Sequence, residues 1–169
     1  MNAILDRWNR ADAPSAIKSL LDCCAARRWA NQLASARPFS SVDALIAASD
    51  KAWLEMIEPD WLEAFAAHPP IGEKKLPYAS AQSSAWSDQE QQQTHQASEN
   101  TLRLLHENNR KYKDKFGFTF IVCATGKPAE EMLAILDRRL ENTRQQELRE
   151  AAEQQRQITN IRLRKWMMQ

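Results

Sequence analysis

The sequence predicts an all-α fold: an irregular multi-helix bundle forming a single domain over residues 1–169, with at most one short extended segment. Three observations predict it. Apolar residues recur at helical spacing in at least five segments. Glycine is scarce, with only Gly72, Gly117 and Gly126, whereas a β-rich fold needs many glycines in its turns. The length, 169 residues, is enough for one sizeable core.

Taken in order, Ala13-Pro14-Ser15 opens a first helix, with proline near its favoured early position. Ile17, Leu20, Leu21 and Cys24 follow at helical spacing. Trp29, Ala30 and Leu33 mark a second, short helix stopped by Arg37-Pro38. Ser40-Ser41 can cap a third, carrying Val42, Leu45, Ile46, Trp53 and Met56. Asp60 to Phe65 is a short helical stretch that ends near His68, because Pro69 and Pro70 disfavour helix before and at themselves. Residues 69–86, with Pro69, Pro70, Gly72 and Pro77, read as a long loop. Ser87-Asp88-Gln89-Glu90 then starts a long helix with Ala97, Leu102, Leu105, Tyr112 and Phe116 on its apolar side and Gly117 at its end. Phe118 to Ala124 is a lone strand or a buried extended run. Pro128 opens a helix with Met132, Leu133, Ile135, Leu136 and Leu140, and a last helix runs from about Thr143 to the C-terminus.

Composition narrows the function. Hydrophobic residues make up 43% and charged residues 27%, an ordinary globular mix, and the net charge is +1. Lys and Arg are spread along the chain, which argues against nucleic-acid and membrane-surface partners. No apolar run approaches the roughly 20 residues a membrane span needs. The N-terminal residues do not form a secretory signal, and Trp166-Met167-Met168-Gln169 is not a peroxisomal address of the Ser-Lys-Leu type. Cys23, Cys24 and Cys123 make a poor disulfide framework, so a cytoplasmic protein is expected. There is no His-Glu-x-x-His and no Cys-x-x-Cys, and His95 and His106 are about three helical turns apart. A metal is not expected.

Three places can carry chemistry. His68 stands at a helix end beside two prolines, and its unperturbed pKa lies near the working pH, so it can give or take a proton. Read structurally, it is a helix-capping histidine. Ser87 and Glu90 have the spacing of a capping box. At a helix N-terminus opening from a loop, they can also meet a polar or anionic ligand. Arg162 shares a helix face with Ile158. A guanidinium there pairs with an acid, snorkels to solvent, or grips a ring with adjacent carbonyls. Cys23 and Cys24 sit beside an apolar helix face and read as core.

The joint order of these residues is more specific than any one of them. His68-Pro69-x-Ile71-Gly72, Ser87-x-x-Glu90-Gln91 and Asn109-x-x-Tyr112-x-x-Lys115-Phe116-Gly117-Phe118-x-Phe120-Ile121 resemble the 2-oxo-4-hydroxy-4-carboxy-5-ureidoimidazoline (OHCU) decarboxylases. Arg28-Trp29, Arg37-Pro38-Phe39, Arg138-Arg139-Leu140-x-Asn142 and Ile158-x-x-Ile161-Arg162-Leu163 extend the likeness over nearly the whole chain. The resemblance implies an all-helical, cofactor-independent carboxy-lyase that turns OHCU into (S)-allantoin and carbon dioxide, the last step from urate to allantoin. It implies His68 and Glu90 as the catalytic pair. Pro69, Ser87, Gln91 and Arg162 would contact substrate, together with main-chain groups of Phe120, Ile121 and Val122. Pro70 departs from the family, which more often has a basic residue there. A homodimer is compatible with all of this. The competing reading is a non-catalytic helical interaction module, which would need no convergence of these side chains.

Overall fold

The computed structural model describes residues 2–72, 80–93 and 97–169. Among them are nine helices and no strand. They are α1 (Ala3–Arg10), α2 (Ala13–Cys23), α3 (Arg27–Ser35), α4 (Val42–Leu54), α5 (Glu58–Ala66), α6 (Ala81–Glu90), α7 (Glu99–Phe116), α8 (Ala129–Leu140) and α9 (Arg144–Trp166). The all-α class is as the sequence implies. Residues 119–124 form no helix, turn or ladder and run without a bend, which is the one extended segment expected. None of the described helices is long and apolar enough to cross a membrane.

Two elements correct the sequence reading. Helix α1 was not anticipated; Asn2 caps it, its Oδ1 accepting from the amides of Ile4 and Leu5, and it buries Leu5 and Trp8. It has only eight residues, so its apolar spacing spans barely two turns. The second correction concerns residues 69–86 and the expected capping box. Ser87 to Glu90 are the last turn of α6, not the first turn of a long helix. Ser80 is the N-cap, its Oγ accepting from the Ser83 amide at 3.0 Å. The long helix begins later, at Glu99, where Ser98 Oγ accepts from the Thr101 amide. Ala97 therefore precedes α7. The physical reason lies in Ala81-Gln82-Ser83-Ser84-Ala85. Alanine and glutamine are good helix formers, but such a run has no apolar stripe, and small polar residues resemble a loop. The part of the expected loop at 73–79, with Pro77, lies outside the described residues, as does His95.

The chain divides into two compact units, Met1–Ala64 with Arg156–Gln169, and Phe65–Gln155. The first is built on Leu5, Trp8, Leu20, Trp29, Leu33, Leu45, Trp53 and Leu163, all buried. Arg37 ties it together. Its guanidinium donates to the carbonyls of Trp8, Ala11 and Ala34 and lies 5.3 Å from the Trp8 ring centre. Burial pushes the Cys24 thiol up to about 11 and the Cys23 thiol higher still. Both are therefore protonated core residues near neutral pH and poor nucleophiles.

The second unit has an aromatic centre in which Tyr112 packs against Phe116, Phe118 and Phe120 at 4.6–5.8 Å between ring centres. Gly117, at φ +82°, ends α7 in the left-handed conformation, and its amide donates to the Lys113 carbonyl. That turn delivers Phe118 and Phe120 back onto the helix that precedes them.

Candidate active site

Within Phe65–Gln155, two stretches without regular structure carry most of the expected site residues. These are the loop His68–Gly72 after α5 and the segment 118–124 after α7.

The loop is held from three helices. His68 donates its amide to the Phe65 carbonyl, which ends the helix ahead of Pro69 and Pro70. From α9, the fully buried Gln155 meets the His68 ring, with Oε1 2.7 Å from Nε2. From α7, Asn109 Nδ2 donates to the Ile71 carbonyl at 2.9 Å. From the end of α6, Gln91 Oε1 accepts from the Gly72 amide at 3.1 Å. Gly72 has φ +84°, a conformation open to glycine at little cost. Gln91, read from the sequence as a substrate contact, thus holds the loop that carries His68.

Ser87 and Glu90 lie one turn apart on α6, and both are buried, with Glu90 8% exposed. The correction to α6 changes their electrostatics. Glu90 stands in the last turn, where helix carbonyls point outward and a carboxylate gains nothing from the dipole.

Segment 118–124 is pinned along one edge by side chains. Arg139, fully buried, donates to the Ile121 carbonyl at 2.6 Å. Gln154 Oε1 accepts from the Cys123 amide at 2.9 Å, and Lys127 Nζ donates to the Cys123 carbonyl at 2.8 Å. In an extended chain, successive residues turn their polar groups to opposite edges. Ile121 and Cys123 share the pinned edge, and Phe120 and Val122 face the other. Among the described residues, no hydrogen bond engages the main chain of Phe120 or Val122, although both residues are buried. Buried main-chain groups normally have partners, so this edge is the natural place for a ligand.

Arg139 is itself held. Its Nε donates to Glu147 Oε1 at 2.7 Å, and a second guanidinium N–H and the Tyr112 hydroxyl donate to the same oxygen. Asn142 Nδ2 donates to Glu147 Oε2 at 2.8 Å. The guanidinium also lies 4.7 Å from the Phe120 ring centre. Burial, with Glu147 accepting its proton, pushes the Tyr112 hydroxyl well above the ordinary phenol range. Tyr112 is therefore the donor in that contact.

Beside the loop and the segment lies a pocket of about 190 Å³ lined by Pro70, Asn109, Arg110, Lys113, Thr119 and Phe120. Asn109 Oδ1 is buried there without a hydrogen-bond partner among the described residues. Arg162 belongs to the other unit, where it is 3% exposed and its positive charge acts on the thiols of Cys23 and Cys24. Sequence reasoning missed Gln154, Gln155 and the Arg139–Glu147 pair. Arg139 belongs to the Arg138-Arg139-Leu140-x-Asn142 motif, but nothing local marks a glutamine on a polar helix as a partner for a residue far away in the chain.

Comparison with known proteins places these features in context. Residues 9–164 match the OHCU decarboxylase family. The chain is 39% identical over 144 residues to the uric acid degradation bifunctional protein TTL of Arabidopsis thaliana. That match covers 85% of this chain and 44% of the relative, so the chain spans less than half the length of the plant protein. It is 26% identical over 160 residues to a 2-oxo-4-hydroxy-4-carboxy-5-ureidoimidazoline decarboxylase of Haloferax volcanii, covering 94% and 93% of the two chains. Its structure is similar to a crystal structure of OHCU decarboxylase determined in the presence of (S)-allantoin. The TM-score is 0.78 at 32% identity, covering 94% of this chain and all of the other.

Proposed function

The chain belongs to the OHCU decarboxylase family, and we propose that it converts OHCU to (S)-allantoin and carbon dioxide, acting as one catalytic domain with His68 and Glu90 as its catalytic pair. The observation that carries this reading is the similarity, over 94% of the chain, to a crystal structure of OHCU decarboxylase in the presence of (S)-allantoin.

The substrate's name sets the chemistry. One ring carbon carries both the hydroxyl and the carboxylate, and its neighbour carries the ureido group. The bond to the carboxylate carbon breaks and carbon dioxide leaves. The electron pair spreads into the ring, the hydroxyl carbon becomes a carbonyl, and a proton is added at the ureido-bearing carbon. His68 takes the hydroxyl proton, which turns the carboxylate toward departure. Glu90 binds ring or ureido N–H groups, or delivers the proton that sets the stereocentre. The free main-chain edge of Phe120 and Val122 receives the ring through paired donors and acceptors, placed where charge develops. Pro69 fixes the chain after His68, and Ser87 and Gln91 complete the wall. The substrate-positioning role of Arg162 rests on the family resemblance.

The test is to add the protein to freshly generated OHCU and follow the appearance and handedness of allantoin by circular dichroism. Rapid formation of the S enantiomer is expected. Racemic allantoin at the spontaneous rate would return the protein to the class of non-catalytic modules.

A further inference from the structure

We propose that Gln155 is the positioning residue of the His68 imidazole, fixing its tautomer so that Nδ1 is the atom that handles the substrate proton. The inference rests on the catalytic role proposed for His68.

The argument starts from what an amide oxygen can do. Gln155 Oε1 lies 2.7 Å from His68 Nε2, and a carbonyl oxygen only accepts. Nε2 must therefore carry the hydrogen, and in the neutral ring the lone pair is on Nδ1. Gln155 is fully buried, so a ring nitrogen without hydrogen at this place would set its lone pair against the amide oxygen, out of reach of water. The preference for one tautomer is thus enforced by the cost of the alternative.

The bond is anchored in regular structure. Gln155 lies inside α9, a helix of 23 residues. Its neighbour Gln154 holds the Cys123 amide of the other stretch. Adjacent helix residues diverge by about 100° around the axis, so the two glutamines reach different targets. One grips the proton-handling ring and the other the main chain whose free edge faces the ligand. Two consecutive residues thereby set both parts of the site from one helix.

The choice of an amide follows from the task. A carboxylate at this position would also orient the ring, but its charge would stabilise the imidazolium and hold the proton there. A neutral acceptor fixes orientation and tautomer while leaving the ring able to take a proton and return it.

The test joins a spectroscopic readout with kinetics on the intact protein. Nitrogen-15 shifts of the His68 ring, measured without ligand, should show the Nε2–H tautomer. Gln155→Met keeps the volume and removes the acceptor. It should give a tautomer mixture and lower kcat on the order of 10-fold or more, with allantoin affinity changed less than about twofold. Gln155→Glu retains an acceptor at the same reach and, at a pH high enough to deprotonate the imidazolium that its charge favours, should restore the Nε2–H signature. If Gln155→Met does not fold, Gln155→Asn, which withdraws a buried amide by one methylene, carries the same expectation. An Nδ1–H tautomer in the wild type would overturn the proposal. So would a folded Gln155→Met or Gln155→Asn protein that keeps both the Nε2–H signature and its kcat. If the wild type makes no (S)-allantoin, the catalytic reading fails, while the nitrogen shifts still decide what Gln155 does to the ring.

Discussion

In the Phe65–Gln155 unit, the Ile121 carbonyl and the His68 ring are both held by fully buried side chains, but the chemistry of the hold differs. Ile121 is gripped by a guanidinium that is itself paired with Glu147 and braced by Tyr112 and Asn142. His68 is met by the amide of Gln155. A buried ion pair makes a stiff anchor because breaking it strands a charge. A neutral amide orients its partner without committing it to a charge state. In the proposed mechanism the main chain at Ile121 stays still, whereas the imidazole changes protonation during each turnover. The difference teaches that burial alone does not identify a catalytic group. The identity of the partner separates an anchor from a working residue.

The contrast breaks most visibly at the anchor. Glu147→Ala should destabilise the fold by about 3–5 kcal/mol, because it leaves Arg139 buried and uncompensated. Chemical denaturation followed by far-ultraviolet circular dichroism measures this. The double variant Arg139→Met/Glu147→Met removes both charges and should recover much of that stability. It also releases the Ile121 carbonyl, so its allantoin affinity should stay weak. A Glu147→Ala protein as stable as the wild type would show that Arg139 does not depend on the pair.

At His68 the expected pattern is the reverse. The residue is half-buried and outside the apolar core, so His68→Asn should fold, with its stability lowered only by the lost contact to Gln155, about 1–3 kcal/mol. Turnover of OHCU at saturating substrate should fall at least ~100-fold, because an amide cannot perform the proton transfer. Allantoin should still bind. If His68→Asn kept near wild-type turnover while Glu90→Gln lost it, the proton-handling role would pass to Glu90.

The same contrast explains what was legible in the sequence. Helices α2, α4 and α8 announce themselves because each carries an apolar stripe with a cap or a proline at its start, whereas α7 shows its stripe and its Gly117 end but not its start at Glu99. The His68–Gly72 loop is legible from its prolines and glycine, and 118–124 from its apolar run without helical spacing. What holds these two stretches was not legible. Gln154, Gln155 and Glu147 sit on a polar, charged helix where any glutamine or glutamate reads as solvated. Their meaning comes from contacts with residues 31, 87 and 35 positions away. Local periodicity carries no information at that range. Helix α6 failed for a different reason, since a real Ser-x-x-Glu pattern at Ser87 competed with an equally good serine at Ser80.

That competition gives the smallest expected effect. A capping serine lowers helix free energy by accepting from an amide that would otherwise lack a partner, and its replacement by alanine costs about 1 kcal/mol. Ser80 Oγ accepts from the Ser83 amide, and Ser80 is exposed. Ser80→Ala should therefore lose roughly that amount through the cap alone. Ser87 lies in the last turn of α6, where its own amide and that of Gln91 belong to the helix ladder. Ser87→Ala removes no cap, and alanine is the better helix former. If Ser87 contacts substrate, its loss should appear as a raised KM with little change in the denaturation midpoint. Measuring both variants by urea titration and by initial rates separates the two serines. A stability loss confined to Ser87→Ala, with Ser80→Ala silent, would restore the capping box at Ser87 and move the start of the helix with it.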